Sequence, residues 1–125
     1  MAFIYDAAFD AALDLINNGT RIDITSQEAV SYAEASSTYT LGNKTSLTVG
    51  SAGDRTGGGR KVTVPTFSDG SVTGSGTATH WALSLPGSSL LISTGALASS
   101  QAVVSGNTFS LTAFDIGFAD AVNET

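Results

Sequence analysis

Cysteine is absent from the 125 residues, which excludes disulfide stapling and thiolate metal sites. Charge is scarce: 13% of residues are Asp, Glu, Lys or Arg, about half the usual share for a soluble domain. Only five are basic, Arg21, Lys44, Arg55, Arg60 and Lys61, against eleven acids, for a net charge of −6. That balance disfavours a nucleic-acid partner, whose binding rests on neutralising phosphates. No apolar run approaches the length of a membrane span. The amino terminus carries Asp6 and Asp10 where a secretion signal would place Lys or Arg, so no leader is expected. From Gly70 to Phe114 there is no Asp, Glu, Lys or Arg at all, and His80 is the only titratable side chain. In place of charge stand 17 Ser, 16 Thr and 14 Gly, with hydrophobic residues at 42%. This is too apolar for a disordered chain and sized for a single domain over 1–125.

The hydrophobic period divides that domain in two. Over 1–19, Tyr5, Phe9, Leu13 and Ile16 recur at helical spacing with Ala8 and Ala12 beside them, which predicts an amphipathic helix. Asp6, Asp10 and Asp14 fall on its other side, a solvated row whose mutual repulsion a basic surface would relieve. Asn17-Asn18-Gly19 is a stop signal, with Gly19 as a left-handed cap. From 20 to 125 the period is two. Arg21–Thr25 reads as a half-buried strand, and 28–35 offers one helical turn. Thr45–Val49 reads as a short strand. Arg60–Phe67 resumes alternation, with Val62 and Val64 inward and Pro65 at an edge or strand end. Ser71–Thr73 leads into 77–85, with Thr79, Trp81, Leu83 and Leu85 on one face. Strands at 90–97 and 102–104 are expected about a Ser99-Ser100 turn. A last strand places Phe109, Leu111 and Ala113 inward and extends to Ile116 and Phe118. Short strands at this spacing predict a mainly β chain: an antiparallel sandwich or barrel of about seven strands with one N-terminal helix.

Candidate chemistry is sparse. The Gly-rich loop 50–59 runs into Arg60-Lys61-Val62, but the spacing is not that of a phosphate-binding loop and a strand follows it. It reads as a surface loop, or as one that becomes ordered on a neighbouring subunit, with Arg55, Arg60 and Lys61 meeting acidic surface. His80 has no sequence-local acid or nucleophile to complete a catalytic set and reads as structural. One His with no carboxylate cluster gives no metal site. No enzyme and no cofactor are therefore expected. Trp81 alternates inward, and Tyr32 and Tyr39 are surface candidates for stacking a sugar. Uncharged, small-residue sheet surface suits packing against another chain, since interface cores are depleted in charge.

Five segments carry a resemblance: NNGTRIDI (17–24), YAEASSTYTLGNKT (32–45), GRKVTVP (59–65), GSVTGSGTATHWAL (70–83) and SSQAVVSGNTFSLTAFDIGF (99–118). In this order they resemble a family of small virion structural proteins of tailed bacteriophages. The resemblance covers most of the chain and implies a non-enzymatic component of the particle. The leading expectation is a capsid decoration, or cement, protein that stabilises the head lattice. Its partners would be the major capsid protein and copies of itself, with no nucleic acid or membrane. Its place would be the virion, assembled in the host bacterial cytoplasm. A tail or baseplate module and a glycan-binding adhesion domain are the alternatives. The interface residues expected are the basic set Arg21, Lys44, Arg55, Arg60 and Lys61, the docking-helix residue Phe9, and Tyr32 and Tyr39.

Overall fold

The computed structural model describes residues 6–56 and 58–118. Helix α1 (Asp6–Asn17) precedes nine described strands: β1 (Arg21–Thr25), β2 (Thr40–Lys44), β3 (Gly53–Asp54), β4 (Arg60–Val64), β5 (Phe67–Val72), β6 (Gly76–Leu85), β7 (Leu90–Val103), β8 (Thr108–Leu111) and β9 (Phe114–Phe118). They form two antiparallel sheets, one in the order β7-β6-β1-β2-β5-β8 and one in the order β3-β4-β9. The chain is thus mainly β with one N-terminal helix, as the period predicts, in a sandwich- or barrel-like arrangement.

A bent ribbon joins the sheets. β5 pairs with β8 in the larger sheet and β4 with β9 in the smaller. Val64 faces Phe114 on one side of the bend and Phe67 faces Leu111 on the other, so one register continues through it. Pro65, which has no N–H to give a ladder, ends β4 as expected. Thr66 Oγ1 accepts the Ala113 N–H at 2.9 Å and fastens the corner. The last strand is therefore two strands in two sheets, and Ala113 is exposed at the bend rather than inward.

The main core gathers Leu13, Ile22, Ile24, Leu47, Val49, Val62, Val64, Phe67, Val72, Trp81, Leu83, Phe109 and Leu111 between helix and sheets. Phe9 and Leu13 are the buried residues of α1, whereas Ala8 and Ala12 are exposed, so the buried stripe is narrower than predicted. Tyr5 lies outside the described residues. Gly19 is not left-handed. It is glycine because a Cβ there would stand 2.7 Å from Leu83 Cγ, so the chain leaves the helix directly over the core. Asn17 does more than end the helix: its Nδ2 donates to Val49 O at 2.7 Å and to Gly50 O at 2.9 Å. With the Leu47 N–H bonded to Thr20 O, this pins 47–50 residue by residue. Leu47 and Val49 are buried, but no strand forms where one was expected.

β1 is covered on both faces, not half-buried. Ile22 and Ile24 enter the main core, and Asp23 and Thr25 are fully buried on the opposite face. The segment from Ser26 to Tyr39, with a π-helical turn at Glu34–Thr38, lies over that face. It brings Ala29, Ala35 and Tyr39 against Ala82 and Leu91 in a second, smaller apolar cluster.

β6 and β7 break simple alternation. Ala78 pairs with Gln101 and His80 with Ala96, so Leu97–Ser100 bulge opposite Thr79. Ala78 joins Trp81 in the main core. Thr79 departs from the expected face, and its hydroxyl donates to Ser26 O at 3.0 Å. A second irregularity leaves Ile92 extra between Leu91 and Ser93. Ser99-Ser100 is hence a bulge inside one 14-residue strand, not a turn between two.

Candidate interaction surface

The five basic residues do not form an open positive patch. Arg21 binds Asp23 through Nε–Oδ1 at 2.8 Å and Nη2–Oδ2 at 3.0 Å. Asp23, a fully buried carboxylate, also accepts from Thr40 Oγ1 at 2.7 Å. The same Asp23 bond holds the Arg21 guanidinium above its ordinary pKa. Lys44 pairs with Asp69 at 3.0 Å. Lys61 pairs with Asp115 at 3.1 Å, and Thr63 Oγ1 donates to the same carboxylate at 2.7 Å. Arg60 binds Asp10 through two nitrogens and Asp54 through a third, at 2.6 Å. Among the described residues Arg55 alone lacks an acidic partner, and its guanidinium donates to Gly58 O at 2.9 Å.

The Gly-rich loop is a hairpin rather than a free strap. Gly53 pairs with Lys61 and Asp54 with Arg60, and the Arg55 N–H bonds to Gly59 O. Gly58 and Gly59 have φ near 101° and 99°, which is why glycine stands at the tip. Of the acidic row on α1, Asp10 meets Arg60 of the same chain and Asp14 is exposed.

The aromatic candidates are largely enclosed. Phe9 is buried and stacks on Phe118, with centroids 5.6 Å apart and rings 13° from parallel. Tyr32 and Tyr39 are half-buried in the segment over β1, Tyr39 against its alanine cluster. Trp81 is 9% exposed. Phe114 packs on it at a centroid distance of 4.7 Å, and Gly95 approaches so closely that a Cβ would stand 2.7 Å from the indole. Its faces are thus covered, and a sugar ring has no indole platform to stack on. The nearest polar atom to the His80 ring is Thr79 Oγ1, 2.9 Å from Nδ1. Among the described residues no three His, Asp or Glu side chains gather as a metal site would require, and no helix is long and apolar enough to cross a membrane.

What the fold leaves open is a seam. β7 and β8 are consecutive and joined by a short turn in which Gly106 has φ +93°. Hairpin strands of this kind usually pair, yet these two stand at opposite ends of the six-stranded sheet. The turn bonds to β5 instead, through Val72 N–H to Asn107 O and Gly106 N–H to Val72 O, both 2.9 Å. Two cavities follow the separation, of about 230 Å³ near Val72 and Val103 and about 780 Å³ farther along. The larger is floored by Trp81, Leu97, Leu111 and Phe114 and rimmed by Gln101, Ser110 and Thr112. Asp115 is its one ionisable lining residue, with its carboxylate taken by Lys61 and Thr63. Those two bonds, Thr63 first, hold it below the usual carboxylate range.

Sequence reasoning did not place Leu97, Gln101, Thr112 or Phe114 together, because strand order decides which edges meet. The signal that pointed to the region was the missing charge between Gly70 and Phe114. No protein-family model, no curated protein and no solved structure matches the chain.

Proposed function

We propose that this chain is a non-enzymatic structural protein of a tailed-bacteriophage particle, a decoration protein that stabilises the head lattice through contacts with the major capsid protein and with its own copies. The reading rests on the resemblance of five segments across the chain. The observation that supports it best is the uncharged surface along β7 and β8, with a seam between them. A free monomer normally keeps such surface patch-free with mixed charge, whereas the core of a protein–protein contact is depleted in charge. The basic residues contribute differently from the electrostatic docking expected of them: Arg21, Lys44, Arg60 and Lys61 are satisfied within the chain, so attachment rests on neutral surface.

The test is quantitative mass spectrometry of gradient-purified virions, with immunogold labelling of intact particles. The expected result is copies comparable in number with the major capsid protein and label distributed over the head. A low copy number with label on the tail would replace the head assignment with the tail or baseplate one. Absence from washed particles would overturn the reading altogether.

A further inference from the structure

We infer that the seam between β7 and the β8–β9 ribbon receives an extended, uncharged strand of a different protein, which adds to the edge of β8 and seats a side chain over Trp81 and Phe114. The partner rests on the virion reading, under which it is the lattice subunit.

Three observations carry the inference. The walls of the seam are strand edges whose outer backbone groups have no strand partner, and such an edge is a template for an added strand. The regular edge is that of β8, since the register shift in its pairing with β5 lies between Phe67 and Gly70 on β5. β7 is irregular at Ile92 and at Leu97–Ser100. It thus forms a shaped wall rather than a second ladder, and two β7 edges from separate copies cannot match along their length. The cavity of about 780 Å³ is apolar at its floor and neutral at its rim, so a charged occupant would be desolvated without a partner. Finally, among the described residues every extended uncharged segment of this chain is already paired within its own sheets. A second copy has no such strand to lend, which assigns the occupant to another protein.

The experiment places lysine in the seam of the phage-encoded protein, as Ala98→Lys and Thr112→Lys, both at exposed positions. Ser88→Lys, in the turn before β7, is the control. Virion occupancy is measured on washed particles, and folding of each purified variant by its thermal melt. The seam variants are expected to melt like the parent and to lose occupancy about tenfold, equivalent to ~1.4 kcal/mol of attachment, while the control stays at the parental level. Parental occupancy of both seam variants would overturn the seam while leaving the virion reading standing. Absence of the parent from particles would overturn both.

A photo-crosslinking residue at Thr112 supplies a readout that does not depend on the lysine variants folding. Irradiated particles should yield an adduct with an uncharged stretch of another protein. An adduct only with copies of this chain, or none in particles that contain it, would overturn the partner.

Discussion

Arg60 grips Asp10 across fifty positions of chain by two near-parallel hydrogen bonds, Nε to Oδ1 at 2.9 Å and Nη2 to Oδ2 at 3.2 Å. A fork-to-fork pair of this kind fixes orientation as well as distance. Here it sets α1 against β4 beside the Phe9–Phe118 stack. The carboxylates hold the Arg60 guanidinium well above its ordinary pKa, so the clamp stays charged at any pH the fold survives. In Arg60→Met the helix keeps Phe9 and Leu13 as anchors but loses its lateral tie. Amide hydrogen exchange within α1 should accelerate about tenfold while core strand amides are little changed, the pattern of local opening. Unchanged exchange in α1 would show the clamp to be ornamental.

Asp23 carries the opposite kind of ion pair, fully enclosed. Removing it as Asp23→Ala leaves Arg21 and the Thr40 hydroxyl facing a site without an acceptor. The expected cost is about 3 kcal/mol in denaturant unfolding, with Tyr39 fluorescence reporting loosening of the segment over β1. A cost near zero would mean that water replaces the carboxylate freely.

Gly95 lies against the indole of Trp81. Gly95→Ala should push the ring off its place beside Phe114, costing about 1–3 kcal/mol by overpacking and red-shifting the emission of the single tryptophan. An unshifted spectrum with unchanged stability would show that the indole has room to move.

Asp69 and Asp115 are both held below the usual carboxylate range, Asp69 by Lys44 and Asp115 by Thr63 and Lys61. A depressed folded pKa stabilises the fold above the unfolded value of about 4, and the contribution is lost as pH falls through the folded value. The melting temperature should therefore lose this contribution below about pH 4. In the Asp69→Asn, Asp115→Asn double variant, part of the acid-induced fall should be missing. Parallel pH profiles for parent and variant would contradict this.

Local pattern made part of the fold legible. The helix bounds follow from the Phe9–Leu13–Ile16 spacing and the Asn17-Asn18 stop, and Val62 and Val64 point inward as their alternation requires. What escaped depends on distant chain. Asp23 and Thr25 alternate as solvent-facing residues would, and only the later return of Ser26–Tyr39 over them makes them interior. Ser99 and Ser100 have turn composition, yet neighbouring β6 keeps β7 running through them as a bulge. The basic residues were legible as a set, but not their partners: Asp10 and Asp115 lie far from Arg60 and Lys61 in sequence. The seam was legible only as missing charge.

Because Val64–Phe114 and Phe67–Leu111 hold one register around the corner, the ribbon ties the two layers together mechanically. A force drawing the small sheet away along the ribbon loads many ladder bonds at once, in shear, and meets high resistance. The long strand β7 is held by β6 alone and interrupted twice, so a sideways pull opens it bond by bond, as a zipper opens. The molecule is stiff along the ribbon and compliant at the strand that borders its neutral seam, the combination expected of a part that must yield locally to admit a neighbour and then bear load.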